Sequence, residues 1–115
     1  MLIEQRIIEY LHGQLALPVY GEVPEGNEGR FLVVEKSGSS RSDYLDTATI
    51  VVQSYADSLA EAATLNNAAK TRMLAMPVLA DSISAVKLNS DYNYTDTDTK
   101  RYRYQGVFVV TYYDE

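Results

Sequence analysis

The chain has 115 residues, a length that fits one domain and can bury about two-thirds of its unfolded surface without staples. It holds no cysteine and one histidine, which excludes disulfides, thiolate chemistry and multi-histidine metal sites. Sixteen acidic against ten basic residues leave a charge of −6, a poor match for gripping nucleic acid phosphates. No apolar run approaches a membrane span, and the charged N-terminus MLIEQRIIEYLHG is no signal peptide.

Leu2, Ile3, Ile7, Tyr10 and Leu11 recur every three or four residues, which predicts a helix from Leu2 to His12 ended by Gly13. Leu15 to Arg30 carries Pro18, Gly21, Pro24, Gly26 and Gly29, leaving room only for a brief edge strand at Val19-Tyr20. Phe31 to Lys36 reads as a strand, and Ser37 to Ser42 as a polar turn. Leu45 to Tyr55 alternates as a second strand, with Ala48, Ile50 and Val52 on one face and Thr49, Val51, Gln53 and Tyr55 on the other. Together they predict a long hairpin that projects from the domain.

Ser58-Leu59-Ala60-Glu61 matches a capping box and opens a second helix, with its apolar stripe at Leu59, Ala62, Leu65, Ala69, Met73 and Met76, and its end at Pro77. A third strand starts at Ile83 and runs to Leu88, and Asn89 to Lys100 reads as a polar loop. In the last strand, Arg101 to Tyr113, period two sends Tyr102, Tyr104, Phe108, Val110 and Tyr112 to one face. Arg101, Arg103, Gln105, Val107 and Val109 go to the other. The order α-β-β-α-β-β predicts a single α+β domain over residues 1–115: a four-stranded, mainly antiparallel sheet with both helices on one face.

Catalytic patterns are missing. His12 has no nucleophile motif beside it, and the glycines at 21, 26 and 29 precede a strand rather than joining a strand to a helix, as phosphate cradles require. The acidic stretch Asp91 to Asp98 lacks the central glycine and closing glutamate of an EF-hand calcium loop, so a solvated loop or an assembly contact is the plainer reading. Ten tyrosines and the interleaved Arg101-Tyr102-Arg103-Tyr104 supply residue types enriched at interface hot spots.

Several segments, taken in order, form a pattern: Val23-Pro24, then Arg30-Phe31-Leu32-Val33-Val34-Glu35-Lys36-Ser37-Gly38-Ser39, then Asp46 to Ser58. Ala60-Glu61-Ala62 leads to Leu65, and Asp91-Tyr92, Asp96 and Arg101-Tyr102-Arg103-Tyr104-Gln105 precede the final strand. As a set this resembles the tail terminator (tail completion, minor capsid or head–tail joining) proteins of long-tailed bacteriophages. It departs from them mildly, with Tyr55-Ala56 where Trp-Ala is frequent and Gly38-Ser39 where Gly-Gly is frequent.

The resemblance implies a structural virion protein at the neck end of the tail, assembled in host cytoplasm. Such a protein caps the tail tube as a ring of six copies, stops polymerisation and meets the head connector, while DNA passes through without specific binding. It implies no reaction, cofactor, metal or membrane. A ring of identical copies needs two different sticky surfaces. The hairpin tip is one candidate, with Arg41, Asp43 and Tyr44 expected against the tube. The other is the Ser90–Lys100 stretch with Tyr92, Tyr94 and Asp96, followed by Arg101 and Arg103, which are expected to pair with acidic groups of the same or the next copy. The competing class is a small dimeric α+β regulatory module that binds a small-molecule ligand.

Overall fold

The computed structural model describes residues 2–26, 29–42, 45–80, 82–96 and 101–113. The elements are α1 (Ile3–Leu15), β1 (Val19–Tyr20), β2 (Phe31–Ser42), β3 (Leu45–Ala56), α2 (Leu59–Leu79), β4 (Ile83–Asn93) and β5 (Tyr102–Tyr113). The fold is α+β, but the sheet is five-stranded and mixed, in the order β1-β2-β3-β5-β4, rather than four-stranded. The added strand is Val19-Tyr20, which pairs parallel to β2, with Val19 opposite Leu32. β2, β3, β5 and β4 pair antiparallel in that order. β3 and β4 therefore run the same way with β5 between them, and α2 carries the chain across.

Alternation along the strands sorts side chains to two faces. One cluster joins Ile7 and Leu11 of α1, Leu65, Met73 and Met76 of α2, and Leu32, Val34, Ile50, Val52, Phe108 and Val110 of the sheet. Both helices thus lie on the same side, tied to each other where the Tyr10 hydroxyl donates to the Arg72 carbonyl at 2.7 Å. Phe31, Val33 and Tyr55 form a second cluster on the opposite face.

Four expected boundaries move. The first helix passes through Gly13 and ends where Ala16 takes the left-handed conformation at φ 54°, its N–H bonded to the His12 carbonyl. The extra turn lets Leu15 pack against the core. In α2 the Ser58 cap is present, accepting from the Glu61 N–H at 3.2 Å. The helix nevertheless passes Pro77 and ends at Leu79. Proline removes one donor there, while the Ala80 N–H still reaches the Met76 carbonyl at 2.8 Å. The Ser37–Ser42 turn is strand, because β3 continues opposite it from Thr49 to Leu45, with a register shift between Lys36 and Gly38. Asn89 to Asn93 is likewise strand rather than loop, since β5 offers a full ladder from Val107 to Tyr104. In both places a long-range partner overrides a polar, turn-like composition.

Candidate functional site

The face of the sheet away from the helices carries the densest set of polar and aromatic contacts. It begins with a cross-strand pair: Phe31 of β2 stands opposite Tyr55 of β3, and their rings stack at 4.6 Å with planes 8° apart. Tyr20 of β1 meets Phe31 edge-on at 5.8 Å. Aromatic residues fit here because strand alternation sends every second side chain to this face, where helices cover nothing.

Two cations lie over these rings. The Arg101 guanidinium sits 5.4 Å from the centroids of both Phe31 and Tyr55. Arg103 sits 5.5 Å from Tyr55 and 4.4 Å from Tyr94, within the range where the ring quadrupole attracts a cation. Its side chain donates to the Tyr55 hydroxyl and to the Tyr94 carbonyl, each at 2.8 Å.

From Tyr55 the contacts continue in series. Its hydroxyl donates to Gln53 Oε1 at 3.3 Å, Gln53 Nε2 donates to Gln105 Oε1 at 2.9 Å, and Gln105 Nε2 donates to the Tyr92 hydroxyl at 2.6 Å. Each donation polarises the next group in the same direction. The series starts at a permanent cation and ends at the hydroxyl of Tyr92, a residue 41% exposed. Tyr92 and Tyr94 meet edge-on at 5.9 Å.

Of the residues expected from sequence, Tyr92, Tyr94, Arg101 and Arg103 come together on this face. Asp96 sits beside it, bridged through backbone to Arg101 where the chain turns from β4 to β5. Arg41 lies elsewhere, at the far end of the hairpin, where its Nη2 donates to the Asp46 carboxylate at 2.9 Å. That hydrogen bond holds the Asp46 carboxyl below the usual carboxylate range. Asp43, Tyr44 and Asp98 lie outside the described residues. Asp91, at the head of the acidic stretch, points toward α2 instead, accepting from Lys70 Nζ and Asn66 Nδ2, both at 2.9 Å.

Sequence reasoning missed Tyr20, Phe31, Gln53, Tyr55 and Gln105 as members of this cluster. The signal was there in part, because Gln53 with Tyr55 and Arg103 with Gln105 fall on single faces of their strands. What it lacked was the pairing of β3 with β5 that sets Gln53 opposite Gln105.

A second surface lies between the start of α1 and the helix side of the hairpin. It is a groove of about 440 Å³ bordered by Ile3, Glu4, Lys36, Arg41, Asp46 and Tyr112. One Glu4 carboxylate oxygen is buried there without a hydrogen-bond partner among the described residues. Among the described residues no group of three or more metal-ligating side chains converges, and no helix is long and apolar enough to cross a membrane. No protein-family model matches this chain, and no curated protein matches it in sequence.

Proposed function

We propose that this chain is a structural protein of a long-tailed bacteriophage virion. In this reading it caps the tail tube as a ring of six copies, ends tube growth and provides the joint to the head connector. The passing DNA meets a net acidic protein that repels phosphate rather than holding it. The reading starts from the order of sequence segments from Val23 to Tyr113. The observation that carries it is the outer half of β2. From Glu35 to Ser42 every side chain is exposed, although the backbone pairs with β3 on both sides of the register shift at Ser37. β3 stays paired with β5 throughout, so the hairpin does not project from the domain as expected. Beyond Val33, where β1 ends, the outer half of β2 is instead an uncovered polar sheet edge, and such an edge suits docking against another protein.

The test mixes the protein with cognate polymerising tail-tube protein and images the product in negative stain. Tubes of limited length with an extra ring at one end are expected, and unaltered tubes free of the protein would overturn the reading. Arg41→Ala should weaken capping while leaving the fold intact, since the Arg41 side chain is 62% exposed.

The groove beside Glu4 favours a second reading, a regulatory module that takes a small ligand bearing both charges. A ligand-induced rise in melting temperature that Glu4→Gln and Lys36→Ala both remove would support it.

A further inference from the structure

The aromatic cluster ends at one edge of the sheet, and an acidic loop leaves the other edge at the same level. Val19 stands opposite Leu32, Leu32 opposite Ser54, Ser54 opposite Tyr104, and Tyr104 opposite Asn93. One row therefore crosses all five strands, from β1 to the end of β4. Just beyond β1, Gly21 to Glu25 forms a loop with exposed carboxylates at Glu22 and Glu25. These flank Val23, which is 46% exposed, and the rigid Pro24. At the other end of the row stand the Tyr92 and Tyr94 rings, 41% and 47% exposed, and the Arg103 guanidinium.

These two edges are complementary in charge and chemistry. Arg103 meets rings, a hydroxyl and a carbonyl, while Arg41 pairs with Asp46 and Lys70 with Asp91. The Tyr92 hydroxyl accepts from Gln105, so its own proton is available to an outside acceptor. A partner suited to this edge carries carboxylates around a small apolar segment, as Glu22-Val23-Pro24-Glu25 does. Because the two surfaces differ and lie at opposite edges of the sheet, a two-fold axis that sets copies edge to edge pairs like with like and leaves the complementary surfaces apart. A head-to-tail neighbour can join them.

We propose that a second copy of this chain docks its Gly21–Glu25 loop against the Tyr92, Tyr94 and Arg103 edge of the first. The contact rests on the ring-assembly reading above and specifies the joint from which such a ring is built. It places carboxylates beside Arg103 and Tyr92, and lays Pro24 and Val23 on the tyrosine rings.

The chain has no cysteine, so engineered pairs report the contact without background. Val23→Cys and Tyr94→Cys combined in one chain, mildly oxidised at millimolar concentration, should give a ladder of linked dimers, trimers and larger species on a denaturing gel. Either single variant should give at most a symmetric dimer. Val23→Cys with Asn93→Cys keeps both tyrosines in place and should give the same ladder if Tyr94→Cys fails to fold. Adding Glu22→Arg and Glu25→Arg should reduce the ladder at least tenfold. Ladders no longer than those of the single variants would overturn the contact. Sedimentation of the unmodified protein separates the failures. An oligomer without the ladder rejects this joint alone, whereas a monomer that also forms no ring on tubes rejects the assembly reading with it.

Discussion

On the helix side of the sheet, Leu32, Val34, Ile50, Val52, Phe108 and Val110 interlock with Leu65, Met73 and Met76 of α2 and with Ile7 and Leu11 of α1. On the open side, Phe31 and Tyr55 stack under Arg101 and Arg103, and Gln53 and Gln105 link Tyr55 to Tyr92. The first side is aliphatic, closed and non-directional, and its stability scales with area removed from water. The second is directional, with rings and donors set by pairing register and half open to solvent. Removing a group from the closed side leaves a void. Removing one from the open side leaves an unpaired polar atom or a ring without its cation. The same strands serve both, because period two gives every strand one side chain for the core and the next for the surface.

The largest way to break the comparison is Phe108→Ala. Phe108 is 1% exposed at the centre of the helix-side cluster. Emptying that site should cost about 3–5 kcal/mol, read as a lower denaturant midpoint with the slope unchanged. The opposite error, overfilling, is available at Gly106. A methyl group there would come within 2.9 Å of Phe108 Cε1 and 3.2 Å of its Cζ, with Asn66 Oδ1 at 3.6 Å. The ring is locked in the core, so Gly106→Ala should destabilise by about 1–3 kcal/mol. Phe108→Leu in the same chain should recover part of that loss. No recovery would place the strain in the β5 backbone instead of at the ring.

The open side should respond more weakly and through pairs. Tyr55→Phe keeps the stack on Phe31 but removes the hydroxyl that accepts from Arg103 and donates to Gln53. It should cost about 1 kcal/mol, the usual net value of such bonds. Arg103→Ala should cost a similar amount, and the double variant less than the sum, by at least about 0.5 kcal/mol. Additive losses would mean that the series from Arg103 to Tyr92 does not act as a unit.

These faces were unequally legible in the sequence. The helix side could be read from single segments: Ala48, Ile50 and Val52 alternate within β3, and Leu65, Ala69, Met73 and Met76 repeat with helical spacing within α2. Each such pattern is local, and burial enforces it. The split of Arg101 and Arg103 from Tyr102 and Tyr104 was legible for the same reason. The aromatic and amide network was not, because it needs β2 beside β3 and β3 beside β5, contacts that span up to 52 residues as in Gln53 to Gln105. The serine-rich half of β2 and the polar half of β4 misread as loops, since their strand character comes from a partner and not from composition. Val19-Tyr20 was legible as a brief edge strand, but two residues carry no signal of the parallel direction in which they pair with β2.

The smallest expected effect tests what joins the polar edge of β4 to the helix side. Asp91 stands opposite Gly106 and accepts from Lys70 and Asn66 of α2. The Lys70 hydrogen bond, then that of Asn66 and the Lys70 charge, outweigh desolvation and hold its carboxyl below the usual carboxylate range. A depressed folded value means that the unfolded chain takes up the proton first. The stabilisation is therefore complete above the unfolded value and is lost as pH falls through the usual range to the folded value. Both side chains are over a quarter exposed, at 28% and 27%, so solvent screens the pair. Asp91→Asn should then lower stability by no more than about 1 kcal/mol at neutral pH, the range of partly exposed pairs. The difference from the unmodified chain should shrink steadily below about pH 4, where unfolded aspartates protonate. Asp46 is depressed by Arg41 in the same direction, but its partner Arg41 lies on the outer half of β2, at the sheet edge. Asp46→Asn should speed hydrogen exchange between Lys36 and Ser42 and leave the denaturant midpoint almost unmoved. A midpoint shift as large as that of Asp91→Asn would show that the outer half of β2 unfolds together with the core.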